Sequence, residues 1–164
     1  MTFPIAAIIK AKLRSDGRFV LTLCGRCMEP LLVEGDRAVV ELCDDPQVGD
    51  VVLVCLDNGL LAVHRLVAFE SGLCVTKGDY SGKVERTSLF HILGVVRKFS
   101  LDGGAWIEDP RSRDELIGLA NLSLTIGCTI VGAANDDARY LIWNQNKFTR
   151  MAMMRESEYM YRKT

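Results

Sequence analysis

The sequence predicts a mainly β fold: an antiparallel domain over residues 1–107 with a partly helical C-terminal extension over 108–164. Three observations predict it. Short apolar, β-rich runs recur about every ten residues through most of 18–107. Turn signals made of Gly, Asp, Asn and Pro separate them. No long helical pattern lies between them, which argues against parallel β-α-β units.

The first candidate strand spans 18–24. Others follow at 37–42, 51–56, 60–67, 73–77 and 93–99. The turns between and after them include Glu34-Gly35-Asp36, Asp44-Asp45-Pro46, Asp57-Asn58-Gly59, Glu70-Ser71-Gly72 and Asp102-Gly103-Gly104. Asn58-Gly59 gives the clearest local signal. It predicts a tight hairpin, because both residues tolerate positive φ. Asp36 and Asp50 are expected to shape their turns by accepting backbone N–H groups.

Composition changes near Pro110. A helix is expected to start at 111–119, with Asp114 and Glu115 in its first turn. Residues 116–134 then carry no charge. Three readings stay open for them: a buried or surface-lying helix, a strand, or a membrane span. A helix with one apolar face, lying at an interface or packed on the domain, is expected within 138–164. Membrane association through 116–164 is the alternative to a cytoplasmic chain.

Charge narrows the partners. There are 20 Lys plus Arg against 21 Asp plus Glu, for a net charge of −1. That balance does not suggest a nucleic-acid-binding surface. Residues 138–164 hold six basic and two acidic side chains, net +4, so 1–137 carry −5. The six cysteines do not make a disulfide scaffold. The apolar run at 3–9 is short, follows no basic residue and ends at Lys10, so it does not read as a secretory signal. A reducing, cytoplasmic setting and free thiols are therefore expected.

Three segments carry candidate chemistry: Gly25-Arg26-Cys27-Met28-Glu29-Pro30, Val63-His64-Arg65, and Thr76-Lys77-Gly78-Asp79, with Glu85 beyond it. Cys27 falls on a turn after the first strand. His64 sits inside an apolar strand, where each ring nitrogen needs a partner. A thiol on one side and a carboxylate on the other would meet that need. The result is a Cys–His pair oriented by Asp79 or Glu85, with the thiolate held as an ion pair. The plainer readings stay open beside it: Cys27 as a packed thiol and His64 as a structural residue. Cys24-Gly25-Arg26-Cys27 is also a C-x-x-C, which leaves a redox pair or half a metal site open.

These segments, in this order, resemble the superfamily of type I signal peptidases and LexA-type self-cleaving repressors. The resemblance covers about residues 18–100. Gly25-Arg26-Cys27-Met28-Glu29-Pro30, Gly35-Asp36 and Gly49-Asp50 are similar to its nucleophile segment and two Gly-Asp turns. His64-Arg65, Lys77-Gly78-Asp79 and Leu93-Gly94-Val95-Val96 look like the branch with a histidine base, found in archaeal, endoplasmic-reticulum and sporulation-type signal peptidases. Cys27 stands where that family has serine. The resemblance implies an endopeptidase that cuts a peptide or leader sequence. Cys27 would be its nucleophile, His64 its base, and Asp79 or Glu85 its orienting acid. The substrate would be an extended peptide with small residues next to the cut, and no metal or organic cofactor is needed. A catalytically inactive peptide-binding relative is the alternative.

Overall fold

The computed structural model describes residues 4–29 and 31–130. The chain opens with helix α1 (Pro4–Asp16), which the sequence reading did not anticipate. Proline suits a first helical turn. Ile9 and Leu13, four residues apart, share the buried face. Gly17 ends the helix at φ +76°, and its N–H donates to the Leu13 carbonyl. That left-handed stop is one that glycine makes without steric cost.

Eight strands follow among the described residues: β1 (Arg18–Thr22), β2 (Arg37–Glu41), β3 (Val51–Cys55), β4 (Leu61–Glu70), β5 (Leu73–Lys77), β6 (Val84–Thr87), β7 (Ile92–Ser100) and β8 (Trp106–Glu108). They form one sheet in the order β1-β2-β7-β3-β4-β5-β6, with β8 beside β7. All its pairs are antiparallel. The mainly β expectation is therefore met. β6 and β8 are additional to the six expected strands. They are four and three residues long, too short to show a periodic signal.

The β3–β4 hairpin closes where expected, with a different geometry. Leu56 N–H bonds to the Leu60 carbonyl across a three-residue loop. Gly59 alone takes positive φ there, at +84°. The two-residue positive-φ turn belongs instead to β4–β5, where Ser71 (φ +50°) and Gly72 (φ +77°) connect the paired residues Glu70 and Leu73. Asp36 accepts from Val33 N–H (2.9 Å) and Asp102 N–H (3.0 Å). Asp50 accepts from Gln47 N–H at 2.8 Å. Both aspartates shape turns as expected.

The principal core lies under α1, where Ile9 and Leu13 pack with Met28, Leu53, Val63 and Phe99. A second cluster includes Val52, Val54, Leu66 and Val95. Helix α2 (Arg113–Ile130) covers a third, setting Ala120 against Val67 and Val75. Ser112 and Glu115 cap it reciprocally. Ser112 Oγ accepts from Glu115 N–H at 3.4 Å, and Glu115 Oε2 accepts from Ser112 N–H at 2.7 Å. Acidic first-turn residues also suit the helix dipole. Leu119, Ala120 and Ser123 are buried. Residues 116–130, the described part of that uncharged stretch, are helical and not a strand, and Ala120 packs on Val67 and Val75 of the sheet. Among the described residues, no helix is long and apolar enough to cross a membrane. The helix expected within 138–164 lies outside the described residues.

Candidate active site

Cys27 sits in the turn segment after β1. Two contacts seat it. Its carbonyl accepts from Tyr80 N–H at 2.9 Å, and Gly78 packs directly on it. A Cβ added to Gly78 would lie 2.6 Å from Cys27 O, so only glycine fits that approach. The loop after β5 and the turn after β1 are thus pressed together. The half-buried Cys27 thiol donates to the Val63 carbonyl at 3.7 Å.

That carbonyl belongs to an uncovered edge. β5 pairs with β4 from Arg65 onward, and Leu61 and Val63 lie beyond its reach. Leu66 turns both its peptide groups toward the β3 side, bonding Asp50 O and Gly49 N–H. Antiparallel alternation then points the peptide groups of Leu61 and Val63 the other way, off the sheet. Beside this edge lies a groove of about 430 Å³. Ile5, Ile8 and Phe19 line one part, Leu61 and Val63 another, and both Cys24 and Cys27 reach it.

His64 is the neighbour of Val63 on β4 and is 8% exposed. Its Nδ1 lies 3.5 Å from Thr76 Oγ1. Strand register places Thr76 opposite Glu85 on β6. Burial lowers the His64 pKa below its ordinary value. The negative charges of Glu85, then Asp79, partly oppose this. Glu85 also pairs with Lys83 at 2.8 Å.

Asp79 is placed differently from the sequence expectation. Arg65 Nε donates to Oδ1 at 3.0 Å and Arg65 Nη2 donates to Oδ2 at 2.8 Å. Both side chains are 1% exposed. Arg65 Nη1 also reaches Gly49 O at 3.0 Å. Asp79 therefore clamps β4 to the loop after β5, and it does not hold the imidazole. The physical reason is competition: a buried guanidinium offers a rigid two-pronged donor that matches a carboxylate. Glu85 is the acid whose charge His64 feels most strongly.

The expected thiolate–imidazolium pair also changes. Among the described residues no hydrogen bond joins Cys27 to His64. The Val63–His64 peptide group takes the thiol instead. Burial pushes the Cys27 thiol up. The N–H groups of Cys27 and Met28 pull it back, and the Asp79 charge adds to the rise. Both groups thus rest neutral near pH 7. Proton transfer would have to accompany nucleophilic attack.

Thr76 stands in a candidate segment, but the sequence reading gave it no role of its own. A signal for it existed, because alternation along β5 sets Thr76 opposite in facing to Val75 and Lys77. Lys77 itself is buried, donating to Gly78 O (2.9 Å) and Ser123 Oγ (3.3 Å). Among the described residues, no group of three or more His, Cys, Asp or Glu side chains could hold a metal ion. Compared with family models, curated proteins and solved structures, the chain has no match in any of the three.

Proposed function

We propose that this chain is an endopeptidase that cuts an extended peptide through Cys27 and His64. The observation that carries the reading is the apolar groove that runs beside the uncovered β4 edge and reaches Cys27. Such an edge takes an extended peptide by backbone pairing, while the groove receives its side chains. The resemblance to signal-peptidase-type enzymes points the same way.

In this reading a substrate N–H donates to the Val63 carbonyl and frees the thiol. The sulfur attacks the scissile carbonyl as its proton passes to His64. Cys27 N–H stabilises the oxyanion. The amine leaves with the proton from His64, and water then hydrolyses the thioester. Thr76 and Glu85 steady the imidazole on its far side, and Asp79 with Arg65 holds the loop that seats Cys27.

The test uses a mixture of peptides digested from whole-cell protein, with new termini read by mass spectrometry. Wild type is expected to cut at discrete sites. Cys27→Ala and His64→Ala are expected to lose about 10²-fold or more. A second reading, capture without cleavage, draws on the thiol's bond to Val63 O instead of His64. Intact peptides retained equally by wild type and Cys27→Ala would replace the first reading with the second.

A further inference from the structure

We propose that Cys24 and Cys27 form a dithiol–disulfide redox site that reversibly masks the Cys27 sulfur. Both cysteines line the same groove. Cys24 is exposed, so an oxidant in solution meets it directly. Neither sulfur is firmly held: Cys24 donates to Glu34 Oε1 at 3.8 Å and Cys27 to Val63 O at 3.7 Å. Thiol hydrogen bonds of this kind are weak. The segment is fastened at its two ends. Leu23 N–H bonds to Asp36 O at 2.7 Å, and Cys27 O accepts from Tyr80 N–H. Between these anchors lie only Cys24, Gly25 and Arg26. Gly25 already turns the chain at φ +80° with open space where a Cβ would be. A ring closed over two intervening residues therefore forms where the backbone bends, without disturbing a strand.

The remaining described cysteines lack this arrangement. Cys55 and Cys74 are buried, and Cys43 lies far from any second thiol in sequence.

The chemistry balances with a glutathione-type disulfide as oxidant. Cys24 thiolate attacks one sulfur of oxidised glutathione, giving a mixed disulfide and one glutathione thiolate. Cys27 then attacks the Cys24 sulfur, forming the internal S–S bond and expelling the second glutathione. Two protein thiols are oxidised, one small disulfide is reduced, and both protons end on glutathione. The product removes the thiol from Val63 O and leaves no nucleophile at the groove.

Trypsin cuts after Arg26, between the two cysteines, and this makes the test direct. The full chain is incubated with excess oxidised glutathione, free thiols are blocked, and the digest is weighed. The expected product is peptide 19–26 joined to peptide 27–37, released on reduction by dithiothreitol. In Cys24→Ser, a substitution at an exposed position, the joined pair must be absent and Cys27 must be blocked by the alkylating reagent or carry glutathione. Separate glutathione adducts on both wild-type peptides, with no joined pair, would overturn the proposal. A disulfide from Cys27 to another cysteine in Cys24→Ser would also overturn it, by showing that the partner is not specific. Neither readout depends on peptidase activity, so this inference and the proposed function fail independently.

Discussion

Burial sets the titration of Cys27 and His64. The His64 pKa lies below its ordinary value because a charged imidazole is costly to desolvate. The unfolded chain therefore takes up a proton at higher pH than the native one. The resulting stability is present above about pH 6.5 and is lost as pH falls through the lower native value. We expect urea midpoints to drop on acidification between about pH 7 and 5.5, and to drop less in His64→Gln. An equal drop in both proteins would show that other groups carry the dependence. Cys27 has the opposite sign. Its raised thiol keeps a proton that the unfolded chain loses, so that contribution is present below the ordinary thiol range and lost as pH rises through the native value. Arg65 and Asp79 form the other decisive pair. Asp79→Asn leaves a buried guanidinium without its counter-charge and should cost about 3–5 kcal/mol in urea unfolding. A loss under about 1 kcal/mol would mean that the pair is not closed in solution.

Elements meet closely through glycines at two places. Gly78 lets the loop after β5 touch Cys27. Gly78→Ala drives a Cβ to 2.6 Å from Cys27 O, and a backbone atom must yield. We expect a loss of about 1–3 kcal/mol and faster alkylation of Cys27, because the displaced thiol loses Val63 O. Unchanged alkylation would place the strain elsewhere. Gly49 plays the matching part for α2. At φ +100°, a Cβ there would lie 2.7 Å from the Leu116 backbone. Arg113 ties the same corner by donating to Asp50 Oδ1 at 2.9 Å. The α2 helix is thus fastened at the turn that enters β3 and along the face holding Val67 and Val75.

At the scale of the whole molecule, α1 has two unlike faces. Leu13 is 1% exposed in the principal core, whereas Ile8 is 63% exposed at the groove. Leu13→Ala should cost about 2–5 kcal/mol, the range for emptying a packed leucine site. Ile8→Ala should change stability by no more than about 0.5 kcal/mol. If the groove takes peptide side chains, the same substitution weakens peptide capture by Cys27→Ala protein. Equal stability losses at the two positions would show that the faces are not distinguished as described.

The legible part of this protein was its local order. Apolar runs and Gly-Asp turns announced the strands, because a two-residue period and a positive φ are properties of neighbouring residues. The segments around Cys27, His64 and Asp79 stood out for their residue types and their resemblance to signal-peptidase-type motifs. Helix α1 did not, since its buried face rests on only Ile9 and Leu13. Nor did β6 and β8, which are strands because a neighbour pairs with them.

Contacts across the chain were settled only in three dimensions. Asp79 chose Arg65 over His64 because a buried guanidinium must have a counter-charge. The thiol chose Val63 O because β5 pairs with β4 only from Arg65 onward, leaving that carbonyl at an open edge. Residues 116–130 became a helix and not a strand, with Ala120 covering the surface that Val67 and Val75 offer. Sequence by itself determined which residues are candidates for a Cys–His site. Tertiary structure decided which of them meet, because pairing in a folded chain depends on what each group must give up to be buried.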